Sequence, residues 1–262
     1  MKSLAALDSG AMNGLRGILF DLDDTFLDAG VLTEVAYRAL WRASRAGLRL
    51  IVVTGRPAGF GEVMARQWPV EAVVTENGAV AFFRRGGTIG RWQKADEATR
   101  RARRIRIAEA FEDLRRRFGE VRMSDDSHAR LSDLALDIGE SQHIPSDVVA
   151  RIEAAARELG MRTFVSSVHL HLTLDPFDKA TGTIAFLHDH FGDDPTWARH
   201  HYAYIGDSAN DGACFFAFGM SFGVANIKPS LPRLSVPPRY VASLPRGAGF
   251  AEIIDRLLVL LD

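Results

Sequence analysis

The stretch Gly17-Ile18-Leu19-Phe20-Asp21-Leu22-Asp23-Asp24-Thr25 decides the fold. Ile18, Leu19 and Phe20 form an unbroken apolar run, the pattern of a strand buried on both faces of a parallel sheet. The run ends abruptly in three carboxylates and a hydroxyl. Open α/β sheets bind ligands at the carboxyl ends of their strands, which is where these acids emerge. Asp21 and Asp23 are two apart, with Leu22 expected to point away. Like charges this close are costly unless a cation or a shared proton relieves them. A metal-dependent reaction with one nucleophilic and one proton-carrying carboxylate accounts for the arrangement. A strand running into an acidic turn is the plain alternative for this stretch taken alone.

Further strands end in the same way. Leu48-Arg49-Leu50-Ile51-Val52-Val53 reads as a second buried strand and closes in Thr54-Gly55-Arg56-Pro57, a turn with backbone N–H groups free to meet an anion. Between the two strands, Thr33 reads as an N-cap and Gly47 as the residue past the end of a helix with Ala36, Ala39, Leu40 and Ala43 on its apolar face. Ala72-Val73-Val74 is a third strand, followed by Glu76-Asn77-Gly78-Ala79, a turn leading into a hairpin. Tyr202 to Ile205 empties into Gly206-Asp207-Ser208-Ala209-Asn210-Asp211-Gly212, whose two acids suit a hard, oxygen-liganded cation. Lys179 opens a helix, a position disfavoured by the dipole and favoured by a bound anion.

The middle of the chain has a different pattern. Glu97 to Phe118 is expected to be one long helix with Ile105, Ala108, Phe111 and Leu114 as its apolar stripe. Its arginines suit an anionic partner or, more commonly, a solvated face. Leu134, Leu136 and Ile138 alternate with Asp133, Ala135 and Asp137. Val168, Leu170, Leu172 and Leu174 alternate with Ser167, His169, His171, Thr173 and Asp175. A period of two places each set on one face. An antiparallel sheet with helices on one side and a polar opposite face follows, with an intervening helix over 146–159. That face is either wet or roofs a site. His169 and His171 lack a third metal ligand, so hydrogen bonding or substrate contact is expected of them. His188, His190, His200 and His201 are expected at the surface.

The chain has 262 residues and a formal net charge of −1. It is long enough for a sizeable core, and no global charge draws it to nucleic acid or membrane. Its one cysteine, Cys214, excludes an internal disulfide and a cysteine-based metal site. A cytoplasmic setting is expected, because residues 1–13 lack an apolar core for a secretory signal and no apolar run is long enough to span a bilayer.

Taken in order, Asp21-Leu22-Asp23-Asp24-Thr25, Thr54-Gly55-Arg56, Lys179 and Gly206-Asp207-Ser208-Ala209-Asn210-Asp211 resemble the four motifs of the haloacid dehalogenase superfamily. The insertion between the second and third motifs resembles the Cof-type, subfamily IIB cap, and Glu76-Asn77-Gly78-Ala79 strengthens that likeness. The resemblance implies a Rossmann-like, doubly wound parallel α/β core with an inserted α+β cap: core over 1–84, cap over 85–175, core again over 176–262. It implies a phosphatase with Asp21 as nucleophile and Asp23 as acid and base. It implies Mg²⁺ held by Asp21, Asp23 (through its backbone carbonyl), Asp207 and Asp211, the last close by or through water. Thr54, Gly55, Lys179 and Asn210 would hold the phosphoryl group, with Thr54 and Lys179 counted in the catalytic set.

From the cap side, Asp133, Asp137, His169 and His171, together with Arg56, are candidates for contact with a sugar or polyol leaving group, since carboxylates accept hydroxyl protons. The expected substrate is a small phosphorylated metabolite. No nucleic-acid or membrane partner is expected. A phosphomannomutase-like phosphotransferase is the second reading; its last acidic loop would be longer than the one here. A non-catalytic anion-binding module using the arginine-rich helix is the third.

Overall fold

The computed structural model describes residues 1–119, 121–166 and 168–261. Nine strands form the large sheet, in the order Lys2–Ser3, Tyr240–Val241, Met220–Gly223, Tyr202–Gly206, Gly17–Phe20, Arg49–Val53, Ala72–Thr75, Val80–Arg85 and Thr88–Trp92. The first seven run parallel, and the last two fold back as an antiparallel hairpin. Gly17–Phe20 lies at the centre and is buried on both faces, as its unbroken apolar sequence requires. Helices Glu34–Arg45, Ala58–Gln67 and Arg246–Leu261 pack on one face through Ala36, Leu40, Ala58, Met64, Phe250 and Ile254. Helices Lys179–Phe186, Pro195–His201 and Gly212–Ala217 pack on the other through Ala180, Ile184, Ala198 and Phe215. At about 1.5–3 kcal/mol for each large apolar side chain, these two layers supply most of the drive to fold.

A second sheet has three antiparallel strands in the order Leu134–Asp137, His169–Thr173, Arg162–Val165. Helices Glu97–Phe118 and Ser146–Glu158 cover one face, where Phe111, Leu114, Ile152 and Ala156 meet Leu136, Leu170 and Leu172. Its other face carries Asp133, His169, His171 and Thr173, all buried. The polar face is therefore not wet; it is turned against the large sheet. Ser167, expected on that face, lies outside the described residues.

Two expectations need correction. Strand Thr88–Trp92, expected beyond a cap boundary at 84/85, pairs with Val80–Arg85 inside the large sheet. The long helix buries Ile107, Ala110, Phe111 and Leu114, and leaves Ile105 57% exposed. Arginines occupy so many of its positions that the apolar period alone does not fix the buried side. The short edge strands Lys2–Ser3 and Tyr240–Val241 are two residues each, too brief for a periodic signal. Among the described residues no helix is long and apolar enough to cross a membrane.

Candidate active site

Four loops leave the carboxyl ends of adjacent parallel strands and converge. They begin at Asp21, Thr54, Glu76 and Asp207. Asp21 is held in place from its backbone, where its N–H donates to Ile205 O at 2.9 Å. The helix carrying Lys179 is fixed by a capping box, with Thr181 N–H on Asp178 Oδ1 at 2.8 Å and Asp178 N–H on Thr181 Oγ1 at 3.0 Å. Gly78, at φ 102°, and Gly182 let this helix sit backbone to backbone on the Glu76–Gly78 turn; a Cβ at either would strike the other segment. Lys179 is thereby driven into the site.

Lys179 Nζ donates to Asp21 Oδ1 at 2.6 Å and to Asp211 Oδ1 at 2.7 Å. All three groups are buried. Asp211 also accepts from Tyr204 OH at 2.6 Å and from the backbone N–H groups of Asp207 and Ser208, each at 3.0 Å. Asp207 accepts from Thr25 Oγ1 at 3.0 Å and Asn226 Nδ2 at 3.1 Å. Burial, with Asp211 and Asp21 nearby, pushes the Asp207 carboxyl up to about 9. Burial pushes Asp21 up to about 7 even though Lys179 pulls the other way. Asp211 is lowered, because Lys179 and its hydrogen bonds outweigh the burial that would raise it. The Lys179 ammonium is raised despite its burial by Asp21 and Asp211.

Asp21, Asp207 and Asp211 each offer an oxygen within 4.8 Å of the others. With all three carboxylates ionised, one lysine leaves two negative charges for a bound cation to balance, and the raised Asp21 and Asp207 carboxyls reflect that excess. An all-oxygen set of this charge fits a hard divalent cation such as Mg²⁺.

The cavity over this cluster is lined by Asp21, Asp23, Gly55, Arg56, Lys179, Asp207, Ser208 and Asn210 from below. Ser166, His169 and His171 close it from the second sheet. Its volume is about 20 Å³, room for roughly one water. Arg56 clasps Asp23 and reaches Glu140, in the turn after strand Leu134–Asp137, at 3.4 Å.

Several expected residues stand back from the cavity. Thr54 is buried, and its hydroxyl accepts from Arg56 N–H at 3.1 Å. Asp137 is consumed by its own turn, accepting N–H groups of Gly139, Glu140 and Ser141 at 3.2, 2.8 and 3.0 Å. Asp133 pairs with Arg130 and with His171 Nδ1. Asn210 reaches the cavity, and its Nδ2 donates to Asn77 Oδ1 at 3.0 Å.

Sequence reasoning missed three members. Glu76 accepts from the N–H groups of Ala58, Leu131, Ser132 and Asp133, joining the two sheets. Arg130, fully buried, binds Asp126, Asp133 and the backbone oxygen of Gly55. Asn226 bridges Asp207 and Asp24 O. Asp126 and Asp133, four before and three after Arg130, were the one available signal. The arginine-rich helix makes largely local pairs: Arg115 with Glu112, Arg116 and Arg117 with Asp113, and Arg103 with Asp175.

A family model described as haloacid dehalogenase-like hydrolase matches residues 18–101. A protein of Metallosphaera sedula named phosphoglycolate phosphatase is 28% identical over 248 residues, covering 93% of this chain and 99% of the relative. One of the same name from Methanothrix thermoacetophila is 28% identical over 255 residues, covering 93% and 97%. Among solved structures, a Thermoplasma acidophilum protein superposes with a TM-score of 0.71 at 18% identity, covering 94% of this chain and 99% of that one. The sucrose-phosphatase of Synechocystis, solved with sucrose and phosphate, gives 0.66 at 16% identity, covering 94% and 98%. At such identities these structural likenesses establish the fold.

Proposed function

We propose that this chain, which belongs to the haloacid dehalogenase-like hydrolases, is a Mg²⁺-dependent phosphatase acting on a small phosphate monoester, with a sugar or polyol phosphate as its substrate class. The observation that carries this reading is the buried Asp21 carboxylate, 2.6 Å from Lys179 Nζ, facing Asp23 and Asp207 across one cavity. The core is taken as residues 1–92 and 176–262, with 93–175 as the cap. A cytoplasmic setting suits a chain whose single cysteine, Cys214, is free and buried.

An Asp21 oxygen attacks phosphorus in line with the leaving oxygen, and the ester bond breaks as the aspartyl-phosphate forms. Asp23 gives its proton to the departing alkoxide, then takes a proton from the water that attacks the aspartyl-phosphate. That second displacement restores the Asp21 carboxylate and releases phosphate. Lys179, turned towards the phosphoryl oxygens, offsets charge that grows in the transition state. Gly55 and Asn210 offer N–H groups to the same oxygens, and Thr54 holds the loop that presents them. Asp21, Asp207 and the Asp23 carbonyl would hold Mg²⁺, with Asp211 close by or acting through water, and the cation would reduce repulsion between the anionic nucleophile and the phosphate. A cavity with room for one water admits a substrate only when the cap lifts, so opening and closing accompany each turnover.

The experiment is phosphate release from a panel of sugar, polyol and small-acid phosphates, with Mg²⁺ and with chelator, for the parent and Asp21→Asn. Metal-dependent release that disappears in Asp21→Asn supports the reading. Release that survives Asp21→Asn removes the nucleophile from it. Phosphoglycolate belongs in the panel, because the archaeal relatives carry its name.

A further inference from the structure

His171 sits on the middle strand of the cap sheet, in the wall of the same cavity as Asp21, Asp23 and Lys179. Its Nδ1 lies 2.9 Å from Asp133 Oδ2. Arg130, itself without exposed side chain, holds both Asp133 oxygens from Nη1 at 3.0 and 3.2 Å. The same Nη1 lies 3.1 Å from the backbone oxygen of Gly55, so the pair is anchored to the core. Burial would raise the Asp133 carboxyl, but Arg130 and the His171 hydrogen bond hold it down to about 2. An ionised carboxylate only accepts, so the proton between the two groups is on His171 Nδ1. Burial lowers the imidazole below its ordinary value, which keeps the ring neutral. A neutral ring with Nδ1–H carries a bare lone pair on Nε2. That atom has no hydrogen-bond partner among the described residues, and it lies over Gly55, where a Cβ would come within 3.1 Å of it. Glycine at 55 therefore leaves open the space that Nε2 faces.

The rest of the cap wall adds no lysine or arginine. Ser166 offers a hydroxyl, and His169 Nε2 is engaged with Glu140 at 2.9 Å. The two cations that line the cavity come from the core. Lys179 is committed to Asp21 and Asp211, and Arg56 to Asp23 and Glu140.

We infer that His171 is a specificity-determining residue: Nε2 is a fixed acceptor, set by Asp133 and Arg130, that takes a hydroxyl of the leaving group and rejects a carboxylate in its place. This rests on the phosphatase reading above. A hydroxyl donates to the lone pair. A carboxylate brings a second lone pair and a charge with no free partner in the wall, which costs roughly 10–100-fold. Phosphoglycolate, the compound for which the archaeal relatives are named, carries such a carboxylate and is thereby set apart from this chain's preferred substrates.

The test has two arms. The first reads the ring nitrogens of His171 by ¹⁵N NMR in the full-length protein near neutral pH, with His171→Gln used for assignment. Protonated Nδ1 and bare Nε2 are expected, and Asp133→Asn, close in shape, is expected to release that tautomer. Protonated Nε2 in the parent overturns the inference. The second arm compares kcat/KM for 2-hydroxyethyl phosphate and phosphoglycolate, which differ in the leaving-group terminus. The parent is expected to favour the alcohol by ~10-fold or more, and Asp133→Asn to shrink that ratio. Hydrolysis of both with a ratio at or below one sinks the inference and leaves the phosphatase standing. If no phosphomonoester in the panel is hydrolysed, the phosphatase reading falls and takes the inference with it.

Discussion

Arg56 grips both oxygens of Asp23, with Nε 2.9 Å from Oδ2 and Nη2 2.8 Å from Oδ1. Its third nitrogen reaches Glu140 Oε1 of the cap at 3.4 Å. One guanidinium thus orients the acid–base candidate and touches the domain that lies over it. The two contacts differ in weight. The Arg56–Asp23 pair is bidentate and half sheltered, whereas the Glu140 side chain is 40% exposed.

Arg56→Ala is expected to lower kcat by roughly 10–100-fold, the value of lost charge-assisted hydrogen bonds to Asp23. Glu140→Gln leaves that grip intact and is expected to keep kcat within about threefold while raising KM. Steady-state kinetics on the preferred phosphomonoester separates the two. Unchanged kcat in Arg56→Ala would remove Arg56 from the orientation of Asp23.

Glu76 takes on a larger share of the interdomain contact than any residue expected to do so. Its carboxylate accepts from Leu131 N–H at 2.8 Å, Ser132 N–H at 2.6 Å and Asp133 N–H at 3.2 Å, besides Ala58 N–H at 3.0 Å on the core. Replacing an oxygen by an NH₂ group turns acceptors into a donor facing donors. Glu76→Gln is therefore expected to cost about 2–4 kcal/mol and to lower Tm by roughly 5–10 °C. Calorimetry or thermal scanning of the two proteins decides it, and a Tm within 1–2 °C of the parent would mean the clamp is redundant.

The core was legible because each motif sits where an apolar run stops. Gly17–Phe20, Arg49–Val53 and Tyr202–Gly206 are buried along their length or nearly so, and their ends are marked by charge or glycine. The alternation at Leu134–Asp137 and His169–Thr173 likewise gave the cap sheet and its polar face. What that face touches was not legible. Asp137 and Asp133 look alike in sequence, yet one caps its own turn and the other pairs with a buried arginine. Both outcomes depend on groups whose proximity arises only from the fold: Arg130 from an irregular segment, and Gly55 from the other domain. Ile105 failed for a related reason, since a helix crowded with arginines has little contrast between its faces.

Acidification should weaken the cap through Asp133 and His171 together. Asp133 is held down to about 2 in the folded chain, below the ordinary 3.8. Its contribution, about 2 kcal/mol, is present above pH 3.8 and is lost as pH falls towards 2. His171 is lowered below its ordinary 6.5, so the unfolded chain takes up its proton first. Its neutral, buried form contributes stability above pH 6.5 that declines as pH drops below that value. Asp21 and Asp207, raised in the folded chain to about 7 and about 9, act in the opposite sense as pH falls, so the His171 contribution is read as the difference in urea midpoint between the parent and His171→Gln from pH 8 to pH 3. That difference is expected to narrow as pH drops below 6.5, and a difference that stays constant across the range would assign the loss to another group.

The carboxylate cluster makes a prediction that does not depend on turnover. Asp21, Asp207 and Asp211 share a buried space with one lysine between them, so the folded chain holds negative charge that a divalent cation neutralises. A ligand that binds only the folded chain stabilises it by about 2.7 kcal/mol at a hundred times its Kd, which for a chain of this size corresponds to a Tm rise of roughly 5–10 °C. Saturating Mg²⁺ is expected to give such a rise in the parent, and chelator to reverse it. Asp207→Asn removes one oxyanion while keeping an acceptor for Thr25 and the shape of the loop. Its new NH₂ group faces Asn226 Nδ2, so the shift is read against the variant's own metal-free Tm, and most of the Mg²⁺-dependent shift is expected to be lost. An undiminished shift in Asp207→Asn would move the cation away from this cluster, and with it the electrostatic basis proposed for attack by Asp21.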